Sequence, residues 1–81
     1  MSASVYYQPV KGKHLNIGAP STFREMMERG FGSPPWTLLP EHNIMLEGMK
    51  AGTNQIEFQE ALAELIRAVG DHNQVDVWLE Y

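Results

Sequence analysis

Cysteine is absent from this 81-residue chain, which excludes disulfide cross-links, thiolate metal ligands and a thiol nucleophile, and makes a reducing compartment the natural setting. Long apolar runs are missing as well. No stretch approaches the roughly 20 apolar residues of a membrane span, and residues 1–5 carry neither the basic nor the apolar region of an export signal. A soluble, cytoplasmic protein without membrane contact is therefore expected. Positive charge is scarce: ten acidic side chains face six basic ones, for a net charge of −4, and only Lys11 and Lys13 lie close together. Duplex binding requires a basic stripe that neutralises phosphates, so nucleic acid is a disfavoured partner. An acidic balance suits basic protein surfaces, although ordinary solubility asks for the same sign of charge.

Motifs that carry chemistry are equally sparse. His14, His42 and His72 are the only histidines, and none stands three or four residues from another, the spacing at which one helix offers two ligands to a metal. No cofactor is implied. Glu57, Glu60 and Glu64 lie on one side of a helical pattern, but a single helix approaches a cation from one direction only, and a cation cage needs oxygen ligands from several. A solvated face accounts for them. One local constellation has a binding mechanism: Lys11, Lys13 and His14 precede a helix start at Ser21, and cations beside a helix N-terminus can hold an anion. A phosphate loop, however, places its lysine after the glycines and beside Ser or Thr, the reverse of the order here.

What is present is secondary-structure signal, strongest over residues 54–81. Asn54 and Glu57 have capping-box spacing. Phe58, Leu62, Leu65, Ile66 and Val69 follow with helical period, opposite Glu57, Glu60, Glu64 and Arg67. Gly70 is placed to end this helix in the left-handed conformation, with Asp71-His72-Asn73 as turn. The period then falls to 2, as Val75, Val77, Leu79 and Tyr81 alternate with Asp76, Trp78 and Glu80, which predicts a strand with one buried face.

Earlier in the chain, Val5-Tyr6-Tyr7-Gln8 is rich in strand formers and stops at Pro9. Lys11-Gly12-Lys13 reads as a turn, followed either by a short hairpin partner at residues 14–17 or by an extended loop. A first helix starts near Pro20, capped by Ser21 or by Thr22 with Glu25. It buries Phe23, Met26, Met27 and Phe31, and Gly30 and Gly32 close it. Ser33-Pro34-Pro35-Trp36 is a stiff extended separator. A second helix begins at Pro40, puts His42, Met45, Leu46 and Met49 on one face, and ends at Gly52.

Without repeats, low-complexity tracts or a long linker, residues 1–81 read as one small α+β domain. A two- or three-stranded sheet pairs the N- and C-terminal strands, in unspecified direction, and three helices cover one face. Such a chain removes only about 60 % of its unfolded surface from water, leaving little room for a pocket of the ~300 Å³ that small ligands require. The functional expectation is a non-enzymatic protein-interaction module that binds a protein partner or self-associates. The alternative is a small anionic-ligand or minor catalytic domain built on Lys11, Lys13, His14 and Ser21. Interface candidates are Trp36, Trp78, Glu57, Glu60 and Glu64. Trp36 is weighed against a role as core plug, and Trp78, opposite Val77 and Leu79, against cover by a loop.

Overall fold

The computed structural model of the chain describes residues 4–8, 13–15 and 20–80. Pro9, the expected turn at Lys11-Gly12, residues 16–19 and Tyr81 lie outside them. In chain order the elements are β1 (Ser4–Gln8), β2 (Lys13–Leu15), α1 (Pro20–Phe31), β3 (Trp36–Leu38), a 3-10 turn (Pro40–His42), α2 (Asn43–Gly52), α3 (Ile56–His72) and β4 (Val75–Glu80). This is an α+β fold in which the N- and C-terminal strands pair.

The pairing is antiparallel, running from Ser4 opposite Glu80 to Gln8 opposite Asp76. β1 also pairs with β2, which decides for the hairpin at residues 13–15 over the extended loop. The sheet is wider than the two or three strands expected. It has four, in the order β2-β1-β4-β3, because Trp36–Leu38 pairs with the other side of β4. The separator after Pro34-Pro35 is thus an edge strand: Trp36 and Leu38 are buried and Thr37 is exposed, the alternation of a half-buried strand compressed into three residues.

The inner strand faces and the helix stripes meet in one apolar core. Val75, Val77, Trp36 and Leu38 from the sheet lie against Phe23 and Met27 of α1, Leu46 of α2, and Phe58, Ala61, Leu62, Leu65, Ala68 and Val69 of α3. Phe23 and Phe58 meet edge to face, ring centres 5.6 Å apart, a favoured aromatic geometry. Leu79 and Ile66 are partly buried against the same cluster. All three helices therefore cover the side of the sheet that carries Val75 and Val77.

Methionine completes the joint between α1 and α2. Gly30 lacks a Cβ where Met45 and Met49 of α2 approach α1, and a Cβ built there would lie 2.9 Å from Met45 Sδ. Flexible thioethers fill such an irregular gap well.

Element ends follow rules other than those the local sequence suggests. α1 already includes Pro20, so Ser21 belongs to its first turn and is not its cap; proline at the first helical position sacrifices no hydrogen bond. At the other end Gly32, with φ +80, takes the left-handed conformation, and its N–H donates to the Glu28 carbonyl at 2.9 Å. The Asn54–Glu57 capping box does not form, since α3 starts at Ile56 without a side-chain cap. Thr53 does that work instead: its hydroxyl accepts the Gln55 N–H at 3.2 Å, and its carbonyl accepts the Gln59 side-chain amide at 2.8 Å. Nor does Gly70 end α3, which continues to His72 and stops at Asn73 in the left-handed conformation, φ 66. The Asn73 N–H donates to the Val69 carbonyl at 2.8 Å, and asparagine tolerates this conformation better than most residues.

Gly48 and Gly70 consequently sit inside helices, exposed, with nothing within 4 Å of where a Cβ would be. Glycine inside a helix is destabilising by about 1 kcal/mol relative to alanine. G48A and G70A should each raise the unfolding free energy by about 0.5–1 kcal/mol, and the double variant should approach the sum, because the two positions share no packing partner. Urea denaturation of the four proteins checks this; a loss of stability in either single variant contradicts it.

Candidate functional site

The same sheet has a second face. β-strand period puts Asp76, Trp78 and Glu80 on the side of β4 opposite Val75 and Val77. Directly paired residues share a face, so Thr37 and Gln8 join Asp76, Tyr6 and His14 join Trp78, and Ser4 joins Glu80. Thr37 and Asp76 are exposed and Trp78 is half-buried. Among the described residues no helix covers this face. By register, the strand positions of His14, Tyr6 and Trp78 form one cross-strand row and those of Gln8, Asp76 and Thr37 the next. The Thr37 hydroxyl donates to Asp76 Oδ1 at 3.0 Å, which fixes the carboxylate on the sheet surface and closes the β3–β4 edge of the polar row.

The candidate interface residues separate accordingly. Trp36 is 2 % exposed, and its indole N–H donates to the Gly32 carbonyl at 2.7 Å. It belongs to the core and offers no interface area, a correction to its place among the candidates. The physical reason is the register of β3: Trp36 stands opposite Val77, on the helix-covered side. Trp78 occupies an interior strand on the helix-free side. Glu57 and Glu60 are exposed on α3, and Glu64 is half-buried there. These three carboxylates follow one helix and belong to a different part of the fold from the open sheet face.

Of the anion constellation, the structure describes only the strand positions of Lys13 and His14 and the place of Ser21. Lys11 lies outside the described residues. Lys13 pairs with Tyr7 and His14 with Tyr6, so as consecutive strand residues they stand on opposite faces of the sheet. Ser21 is exposed within the first turn of α1. The other two histidines serve local structure or sit at an end. His42 Nδ1 accepts the Leu39 N–H at 2.9 Å, leaving the ring proton on Nε2, and the imidazole meets Phe31 edge to face with 5.2 Å between ring centres. His72 is exposed at the end of α3. Among the described residues, no three His, Asp or Glu side chains come together as metal ligands would, and no helix is long and apolar enough to cross a membrane. Asn43 Oδ1 is buried without a hydrogen-bond partner among the described residues; nothing in the structure explains it.

Two features of the open face escape reading by local pattern. Trp78 is recognisable as the odd residue in an otherwise apolar/polar alternation, whereas its row with Tyr6 and His14 depends on register, which the pattern of one strand cannot supply. Thr37 becomes relevant only once β3 is known to pair with β4. No family model matches the chain, and no curated protein and no solved structure is significantly similar to it.

Proposed function

We propose that the chain is a non-enzymatic protein-interaction module that engages a partner through the helix-free face of its sheet. One observation carries this reading: an interior strand of a four-stranded sheet places a tryptophan and an exposed carboxylate on the side that no described helix covers. Tryptophan on an otherwise polar surface is where binding energy concentrates, and a sheet surface is rigid, so little ordering accompanies contact. Strand addition at the β3 edge is less well supported. That strand is three residues long and stands between Pro34-Pro35 and Pro40, and short, proline-flanked edges resist pairing with another chain.

The test is a comparison of the full chain with W78T, in which threonine preserves strand propensity. Affinity capture from the source cell's lysate should retain a discrete partner on the wild type and lose it on W78T, both proteins showing the same circular dichroism. Identical captured sets, or a wild type that retains nothing and stays monomeric across a light-scattering concentration series, would falsify the reading.

A further inference from the structure

With cysteine absent, the thioether of methionine is the only sulfur in the chain, and an oxidant that acts on sulfur has no other target. The described methionines differ in access. Met27 is fully buried, Met26 and Met49 are partly buried against the core, and Met45 is 42 % exposed. Met45 is also a structural residue. Its Sδ lies over Gly30 of α1, together with Met49 Cε, in a seat that exists because residue 30 has no Cβ. Beside that seat Phe31 meets His42 edge to face, so the end of α1 is joined to α2 and the turn before it by a thioether pair and a ring pair.

We propose that Met45 is a modification site for peroxide, and that its sulfoxide opens the joint between α1 and α2. A lone pair on Sδ attacks one peroxide oxygen, the S–O bond forms as the O–O bond breaks, and the hydroxyl proton passes to the departing hydroxide, which leaves as water. Sulfur loses two electrons and the peroxide gains them. A thioether is apolar and flexible, whereas a sulfoxide carries an oxygen that requires hydrogen-bond donors. The seat supplies none. Gly30 lies in the last turn of α1, where N–H groups are committed within the helix and the free backbone groups are carbonyls. Nor is there space for another atom on that side, since even a Cβ on residue 30 would lie 2.9 Å from Sδ. Water is available only on the exposed side, so the oxidised side chain leaves the seat and Met49 loses its neighbour. Thiol-dependent reductases return methionine sulfoxide to the thioether, two thiols becoming a disulfide as the oxygen departs as water, which makes the opening reversible. The sheet takes no part, so this device goes beyond the interaction-module reading and does not depend on it.

Hydrogen peroxide on the full chain is the test, with peptide mass mapping to follow each methionine; Met1, outside the described residues, is followed separately. Oxygen should appear at Met45 before Met26 or Met49, and at Met27 only under conditions that unfold the chain. Protein oxidised at Met45 should have an unfolding constant in urea raised about tenfold, with amide shifts at residues 28–32 and 45–49, and a thiol-dependent sulfoxide reductase should reverse both changes. M45L, a swap that conserves volume, should lose no stability to the same treatment, which also accounts for any effect of Met1. G30A fills the seat and displaces the thioethers, so peroxide should cost it less than half of what it costs the wild type. Earlier oxidation at Met26 or Met49 overturns the site, as does an equal loss in M45L. Sulfoxide at Met45 with unchanged stability and unchanged Gly30 shifts, or an undiminished loss in G30A, overturns the opening of the joint.

Discussion

Trp36→Ala should cost about 3–5 kcal/mol of folding free energy, the range for truncating a large aromatic side chain in a core. For 81 residues the whole stability expected is about 4–12 kcal/mol, so this one change brings the chain close to unfolding. Two contributions combine. The ring is enclosed between the edge of the sheet and the helices, and its removal leaves a cavity that the facing strand and helices cannot close without shifting. The indole N–H also ties β3 to the left-handed residue that ends α1. Trp36→Phe separates these effects, because it retains most of the apolar volume and deletes the donor. Gly32 is exposed, so water can replace the lost partner, and the hydrogen-bond share should be only about 1 kcal/mol. Urea unfolding should therefore rank the proteins wild type, W36F, W36A in falling stability, with W78T nearer to wild type than to W36A. A loss below about 1 kcal/mol in W36A would remove Trp36 from the core and reopen it as a surface residue.

That contrast between two tryptophans shows which information the chain carries locally. Trp78 is legible because Val75, Val77 and Leu79 recur at every second position of the strand Val75–Glu80, and that period alone places it opposite Val77. Trp36 is not. Three residues are too few for a period to be read, and the prolines before them identify extended backbone without identifying a neighbour. The long helix α3 shows its buried stripe at 58, 62, 65 and 69, because seventeen residues sample every side of the helix several times. Its ends are another matter. Asn54 and Glu57 have the spacing of a capping box, yet Thr53 and Gln59 satisfy the turn. Several polar side chains compete for the same backbone groups, and differences of a few tenths of a kcal/mol decide among them. Gly70 likewise looks like a stop, but apolar residues on either side of it, Val69 and Val75, are both buried, and the chain must travel far enough to reverse direction before β4 begins. Asn73 supplies the left-handed residue at that later point. For the open face, the residue types were legible and their convergence was not: which strand stands beside β4, and in which register, is a property of the folded sheet.

Removing residues 1–8 should abolish cooperative folding. β1 is the strand that joins β2 to the rest of the sheet, and five of its residues, Ser4 to Gln8, pair with β4. Without it, β2 has no described partner, and β4 keeps only the three paired positions of β3. A two-stranded ribbon of that length is not stable on its own. The exposed rim of β4 would also present a row of unpaired N–H and C=O groups beside the apolar core, with the Val5 and Tyr7 positions missing from the helix-covered side. The expected deficit exceeds about 4 kcal/mol, the lower end of the stability range for a chain of this length. The truncated protein should thus show no sigmoidal thermal or urea transition, and amides of residues 75–80, which in the full chain should exchange among the slowest, should exchange within the dead time. A truncated chain that still unfolds cooperatively, within about 1 kcal/mol of the full one, would mean that the α3–β4 unit and the helices hold the fold unaided. The sheet face would then lose the Tyr6 and Gln8 strand positions without losing its scaffold.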